Sequence, residues 1–200
     1  MPTRRHATAL LACGLALLTA GPAQAQDYPA KPITLVVGYP PGGSTDLMGR
    51  LVGAELSTRL GQPVVIENLG GAGGTIGAQK VASAAPDGYT LLVGANNELA
   101  IAKLVTKTVK YDPSSFTPIG LIGSQPMVLV AATSTGVKNA SDFTQLVKKN
   151  PGKFSYGSSG VGTALHLAGE MVKEQAGLFM THIPYRGVAP LTNDLVGNNL

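Results

Sequence analysis

The feature that most constrains the fold of this 200-residue chain is a repeated order of strand, glycine-rich loop and helix. Residues 33–37 form an apolar, largely β-branched run, which predicts a buried strand. The glycines and prolines of residues 38–43 end that strand, because neither a helix nor a central strand continues through them. Leucines at helical spacing follow as far as Leu60, and Gly61 ends the predicted helix.

The same order recurs along the rest of the chain. The further predicted strands are 64–66, 89–93, 117–122, 127–132, 154–156 and 181–183, and the further predicted helices are 76–84, a short one ending at 104, 142–149, 164–175 and 188–196. Strands that alternate with helices indicate a parallel α/β sheet, with the functional loops at the carboxyl ends of its strands. Ser141 is the expected N-cap of the helix that follows it.

The amino terminus has the three parts of a secretory signal peptide. Arg4, Arg5 and His6 form a basic start, and residues 7–20 are apolar or small. Ala23-Gln24-Ala25 then supplies a small-x-small cleavage site, and the apolar stretch is too short to span a bilayer. We therefore expect residues 1–25 to be removed and the remaining chain to reach the periplasm.

Two other interpretations of this leader stay open. Arg4-Arg5 is compatible with twin-arginine export, although arginine pairs are also common in ordinary leaders. Cys13 resembles a lipidation site, but the apolar run continues past it, which is not typical of a lipoprotein. Either way, cleavage after Ala25 would remove the single cysteine of the sequence, so we expect no disulfide in the exported chain.

The charges of the chain argue against a nucleic-acid partner. The sequence has 15 basic and 11 acidic residues, and the predicted leader contains two of the basic ones. The remainder has 13 − 11 = +2 charges, and its lysines and arginines are scattered. We expect a monomer that binds a small molecule.

Three loops each follow a predicted strand and open a predicted helix. They are residues 40–46, 68–75 and 158–163, and all are rich in glycine, serine or threonine. The first N–H groups of a helix have no partner within the helix, and the helix dipole adds partial positive charge there. Loops of this kind bind anions without arginine, so their recurrence favours an anion site over simple strand termination.

Other chemistries fit the sequence less well. Ile76 occupies a position that the dinucleotide motif reserves for glycine, and Val161 does the same for the nucleophile elbow of a serine hydrolase. A hydrolase would have to recruit Ser158 or Ser159 with His166 or His182. We expect no catalytic residue, no cofactor, and no metal site, since clustered ligands are missing from the sequence.

Three further polar residues near these loops have two interpretations each. His166 lies on the helix that Thr163 opens, where a structural role is favoured over a general base. Arg186 is either a carboxylate clamp or a surface residue. Asp46 is expected to cap a helix, together with Ser44 or Thr45, rather than to contact a ligand.

An ordered series of motifs resembles one family of receptors. The motifs are Tyr28-Pro29-x-Lys31-Pro32-Ile33, Pro41-Gly42-Gly43-x-x-Asp46, Leu60-Gly61-Gln62, Val65-x-Glu67-Asn68, Gly71-Ala72-Gly73-Gly74, Pro86-Asp87-Gly88-Tyr89-Thr90-Leu91, Ser158-Ser159-Gly160-x-Gly162-Thr163-x-x-His166-Leu167-x-x-Glu170 and Pro184-Tyr185-x-Gly187. Together they resemble the substrate-binding receptors of tripartite tricarboxylate transporters, often called Bug receptors. The resemblance spans essentially the whole chain after the leader.

The resemblance implies an α/β, two-lobed periplasmic binding protein of type II, the Venus-flytrap fold. The first lobe would be residues 26–124 and the partial second lobe residues 125–200. Family members continue beyond the position of Leu200, so we expect a truncated receptor that lacks part of the second lobe and the segment returning to the first. The function implied is capture of a small carboxylate for a membrane transporter, without enzymatic activity; a periplasmic sensor domain and a secreted hydrolase are the alternatives.

The resemblance also implies which residues contact the ligand. Both groups lie in or next to glycine-rich loops that open helices. In the first lobe they are Tyr39, Pro41, Gly42, Gly43 and Ser44, and in the second lobe they are Ser158, Ser159, Gly162, Thr163 and His166.

Overall fold

The computed structural model describes residues 27–200. The predicted leader, with Cys13 and both arginines, lies outside the described residues. Residues 31–200 form one compact unit, and all helices and strands given below belong to it.

The described elements follow the predicted alternation. In chain order they are β1 (Ile33–Val37), α1 (Ser44–Leu60), β2 (Val64–Asn68), α2 (Thr75–Ala82), β3 (Thr90–Val93), a π-helical turn (Asn97–Ile101), α3 (Ala102–Val105), α4 (Ala140–Lys149), β4 (Ser155–Ser158), α5 (Ala164–Ala176), β5 (Thr181–Pro184) and α6 (Val188–Val196). Short 3-10 turns occupy residues 72–74, 113–115 and 133–135. The predicted α/β class is confirmed.

The first sheet places three loops at one edge. Its strands are parallel in the order β2-β1-β3, and Val37 lies opposite both Asn68 and Val93. The three strands therefore end together, and the loops that follow them share one side. Val36 and Val37 are fully buried, and burial of each such side chain contributes about 1.5–3 kcal/mol.

Helix α1 packs on this sheet through glycines. A methyl group at Gly49 would lie 3.0 Å from Cγ2 of Val37, so the helix backbone approaches the sheet closely there. Two of the leucines whose spacing predicted the helix face away from the core, since Leu47 and Leu51 are 55% and 59% exposed, whereas Leu60 packs against it. The spacing therefore identified the helix but not the face that meets the core.

The second sheet is smaller and has its own core. Strands β4 and β5 are parallel, with Ser158 opposite Pro184. Val147, Leu178 and Met180 form the buried cluster beside them. Residues 31–200 form one compact unit, within which no boundary is drawn. The boundary between lobes at residues 124 and 125 therefore remains a prediction.

Two predicted strands are wrong. Residues 117–122 and 127–132 have no ladder partner among residues 27–200 and are not strands. Their apolar side chains are largely exposed, as at Leu121 with 88% and Val128 with 74%. The apolar pattern is that of a strand, but a strand also needs a neighbour to accept and donate its backbone hydrogen bonds.

Two predicted helix caps are also wrong. Asn139, not Ser141, caps α4, because its side chain accepts a hydrogen bond from the backbone N–H of Asp142 at 2.9 Å. Gly43 is the N-cap of α1, so Ser44 is already the first helical residue. No helix within residues 27–200 is both long and apolar enough to cross a membrane.

Candidate functional site

The predicted ligand loops of the two sheets meet face to face. A methyl group at Gly73, in the loop after β2, would lie 3.1 Å from Cγ2 of Thr163 in the loop after β4. One at Gly187, in the loop after β5, would lie 2.9 Å from Cδ of Pro40 after β1. Gly187 also has a φ of +149°, which favours glycine. The structure thus brings the loops of the first sheet next to the loops of the second.

The loop after β1 leaves backbone donors open. Within residues 27–200, the N–H groups of Gly43, Ser44 and Thr45 have no hydrogen-bond partner, while the N–H of Leu47 starts the helical ladder on the carbonyl of Gly43. Pro41 and Gly42 are exposed, and the next three residues are partly exposed. These donors lie at the positive end of the α1 dipole, which is the arrangement that attracts an anion.

Asp46 fastens this loop to the helix and to the sheet. One carboxylate oxygen accepts hydrogen bonds from the Gly42 N–H at 2.9 Å and Arg50 Nε at 3.0 Å, and the other accepts from Asn68 Nδ2 at 2.9 Å. Burial raises the pKa of Asp46, but the hydrogen bonds from Arg50, Gly42 and Asn68 outweigh it and lower the pKa to about 2. Asp46 therefore fastens the loop instead of capping the helix as expected, because the N-cap of α1 is Gly43 and no side chain makes a cap hydrogen bond there.

Tyr39 is held from several sides. It is only 7% exposed, and its backbone carbonyl accepts a hydrogen bond from Asn68 Nδ2 at 3.0 Å. Its hydroxyl donates to Oε2 of Glu98 at 2.7 Å and accepts from Nδ2 of Asn97 at 2.8 Å. Burial, and next the charge of Glu98, raise the pKa of Tyr39 far above its usual value, so the phenol stays protonated.

The loop after β4 uses its polar groups internally. Ser158, Ser159 and Thr163 are 0%, 4% and 1% exposed. The hydroxyl of Ser158 accepts from the Gly160 N–H at 3.2 Å, and the hydroxyl of Thr163 donates to the Gly160 carbonyl at 2.8 Å. Thr163 also caps α5, because Oγ1 accepts from the N–H of His166. These hydroxyls organise the loop.

Two stacked histidines support the same loop. The rings of His166 and His182 lie 4.1 Å apart at an angle of 18°. Nδ1 of His166 accepts a hydrogen bond from the Gly162 N–H at 3.1 Å, which requires that nitrogen to be unprotonated. Burial, and next the neighbouring His166, lower the pKa of His182.

Ser158 and His182 have one feature of a hydrolytic pair. The serine hydroxyl lies 2.7 Å from Nε2 of His182, a distance suited to a nucleophile and its base. However, Ser158 is fully buried and also bonds to Gly160. A substrate carbonyl has no access to a hydroxyl in that position, so the arrangement is that of a structural hydrogen bond.

Two residues that sequence reasoning missed connect the loops. Oδ1 of Asn97 accepts a hydrogen bond from the backbone N–H of Ala164, the first residue of α5, at 2.8 Å. Glu98 is 0% exposed, and its Oε1 accepts from the Ala95 N–H at 2.7 Å. The sequence did contain a signal for Glu98: it is a carboxylate in an otherwise apolar segment, just after the third strand and therefore at the functional edge of the sheet.

Other candidates for the site gain less from the structure. Arg186 is exposed. Within residues 27–200 no group of three acidic, histidine or cysteine side chains is placed to hold a metal ion. A cavity of about 360 Å³ lies elsewhere, between residues 72–79 and 108–111, and contains none of the predicted contact residues.

Comparisons with known proteins agree on one family. Residues 48–200 match the family described as Tripartite tricarboxylate transporter family receptor. A UPF0065 protein of Bordetella pertussis is 42% identical over 186 residues, which are 93% of this chain and 56% of that protein.

Two similar solved structures have the same fold. The periplasmic binding protein BugD is 38% identical with a TM-score of 0.76, over 86% of this chain and 58% of that one. MatC from Rhodopseudomonas palustris with bound malate is 33% identical with a TM-score of 0.80, over 86% and 59%. The predicted periplasmic-binding-protein fold is confirmed, and the chain spans between 56% and 59% of the length of these three proteins.

Proposed function

This chain belongs to the tripartite tricarboxylate transporter receptor family, and from that premise we propose that it captures a small organic carboxylate in the periplasm for a membrane transporter. It binds its ligand without covalent chemistry. MatC, which is similar over most of this chain, has malate bound in its structure, and this supports the choice of ligand class.

The observation that carries the proposal is the open amino terminus of α1. The N–H groups of Gly43, Ser44 and Thr45 have no partner within residues 27–200. A carboxylate accepts hydrogen bonds from several such donors at once and is favoured by the helix dipole. A cation or an uncharged apolar ligand has no comparable partner there.

The remaining parts of the proposal rest on the family and on the leader. BugD is a periplasmic binding protein, and the leader of residues 1–25 provides a route to that compartment. We expect a monomer that delivers its ligand to the membrane subunits of the transporter.

A paired ligand screen tests the carboxylate proposal. The melting temperature of the chain is measured in the presence of malate, succinate or citrate. Each acid is compared with its uncharged amide. A ligand at a hundred times its dissociation constant adds about 2.7 kcal/mol of stability, which gives a clear rise in melting temperature. The amides should give none, because they lack the negative charge that the donors of α1 attract.

The outcomes separate the hypotheses. A rise with at least one acid and none with its amide supports the proposal. Equal rises in melting temperature with an acid and its amide would show that the ligand class is wrong. So would a rise with a cationic or neutral metabolite when no acid gives one. Turnover of an ester by the chain would instead support the hydrolase alternative.

A further inference from the structure

Asn97 occupies a position that connects the two groups of loops. It opens the π-helical turn after β3 and is 9% exposed. The N-cap of this turn is the residue before it, Asn96, so the side chain of Asn97 is not in the capping position. It reaches instead to Tyr39 on one side and to Ala164 on the other, at 2.8 Å in both cases.

The two hydrogen bonds use opposite ends of the carboxamide. Nδ2 donates to the hydroxyl of Tyr39, and Oδ1 accepts from the backbone N–H of Ala164. Only the carbonyl oxygen can accept from an N–H, so the bond to Ala164 determines the orientation of the amide. Asn97 is therefore held in one orientation by the loop after β1 and by the first residue of α5.

Glu98 holds the other side of this arrangement. Its two carboxylate oxygens accept from the N–H of Ala95 and the hydroxyl of Tyr39, both at 2.7 Å. Its backbone carbonyl accepts from the hydroxyl of Tyr111 at 2.6 Å. The Tyr39 hydroxyl has two acceptors, Oε2 of Glu98 at 2.7 Å and the carbonyl of Gly73 at 3.2 Å, so its oxygen keeps lone pairs for Nδ2 of Asn97.

We propose that Asn97 is a positioning residue for ligand capture, which holds α5 against the first-sheet loops and is itself oriented by Tyr39 and Glu98. The inference rests on the proposed function and assigns a means of closure to the same site. It also assigns the first N–H of α5 to the side chain of Asn97 rather than to the ligand.

Closure and affinity are linked in this arrangement. The bond between Asn97 and Ala164 exists only when the two groups of loops are together. Removing it lowers the population of the closed form, and the apparent affinity falls by the same factor. A single neutral hydrogen bond corresponds to a change of about three- to tenfold.

The test measures the closed population directly. Spin labels are attached at Ala54→Cys on α1 and Gln175→Cys on α5, both exposed positions, in a background with Cys13→Ser. Their distance distribution is measured in the full chain without ligand and with malate as the probe. Asn97→Ala should reduce the short-distance population about three- to tenfold relative to the long-distance one.

A second variant removes the other partner of the same bond. Ala164→Pro deletes the N–H at the first position of α5, where proline is tolerated, and Thr163 before it is already extended, with φ −81° and ψ 163°. If the two groups act through one bond, the double variant should lose no more of the closed population than either single variant. A purely local effect of Asn97 on folding would give additive losses instead.

Asn96→Ala is the matched control, since Asn96 is the residue next to Asn97 and its side chain is exposed and makes no capping bond. The proposal is overturned if Asn97→Ala leaves the distribution unchanged, or if the losses in the double variant add. The malate arm reports on the proposed function separately: absence of any ligand response would count against malate capture, while the distributions without ligand would still decide the role of Asn97.

Discussion

The loop after β1 and the loop after β4 contain similar residues but use their hydrogen-bonding groups differently. In the first, the N–H groups of Gly43, Ser44 and Thr45 have no partner within residues 27–200. In the second, Ser158 and Thr163 are buried and bonded to Gly160 within the same loop. Similar glycine, serine and threonine content therefore supports a donor surface in one case and a rigid frame in the other.

The difference arises from what anchors each loop. Asp46 ties the first loop at Gly42, ahead of the helix, and leaves the donors behind it open. In the second loop Thr163 caps α5 itself, and Asn97 takes the first N–H of that helix from outside. We infer that the first loop contacts the ligand directly and that the second shapes and closes the site.

The largest expected effect is a loss of ligand affinity when proline is placed at the first position of α1; the same change at the first position of α5 is its counterpart. Ser44→Pro deletes one open N–H at the first position of α1, and the extended Gly43 before it accepts proline. We expect a loss of ligand affinity of about tenfold to a hundredfold by calorimetry, since a hydrogen bond to a charged group is lost. Ser44→Ala, which keeps the N–H, is the control.

The corresponding change in the second loop sharpens this comparison. Ala164→Pro removes an N–H that already has a protein partner, so its effect on affinity should not exceed about tenfold. An affinity loss for Ala164→Pro larger than that for Ser44→Pro would reverse the assignment of the two loops.

The next effect tests the anchor of the first loop. Asp46→Asn should lower the free energy of unfolding by about 2 kcal/mol in urea, because Asp46 is buried and its charge accepts several hydrogen bonds. Glu55→Gln breaks the other ion pair with this spacing on α1, Glu55–Arg59, whose side chains are 62% and 74% exposed. It should change stability by less than about 0.5 kcal/mol. Equal losses in the two variants would contradict the role given to Asp46.

A smaller effect tests the internal bonding of the second loop. Thr163→Val removes a buried hydroxyl that caps α5 and should cost about 1–2 kcal/mol of stability, measured by thermal unfolding. Thr45→Val is the matched change in the first loop and should cost less than about 0.5 kcal/mol, because Thr45 is only partly buried and makes no capping bond. If Thr45→Val were the more damaging change, the second loop would not be the rigid frame.

The smallest effect is a dependence on pH through His182. Its pKa is lowered in the folded protein, so below its usual value of 6.5 the unfolded chain binds more protons than the folded one. Stability should therefore fall as the pH decreases from about 7.5 to about 5.5. His166, Glu170 and Lys173 are the titratable neighbours of this ring.

His182→Gln provides the comparison, because its amide can still bond to Ser158 but does not titrate. Urea unfolding at both pH values should show a weaker pH dependence in the variant than in the original chain. The same slope in both proteins would exclude His182 as its source.

Elements with a local signal were predicted well. The bounds of β1 and α6 agree with the structure to the residue, because a β-branched run and a helical pattern next to glycine are properties of neighbouring residues. Residues 117–122 and 127–132 carry an equally clear strand pattern, yet they lack a ladder partner among residues 27–200. Strand formation depends on a distant neighbour, which no local pattern reports.

The sequence alone determined the order of strands and helices, the family, and the loops that open helices. Those features depend on periodicity and on glycine and proline, which act on the backbone where they stand. Only the tertiary structure decided which donors remain open, since Asn97 reaches Ala164 across 67 positions of the chain and Tyr39 reaches Glu98 across 59. A hydrogen bond depends on the distance between two groups in space, and folding alone brings such groups within about 3 Å of each other.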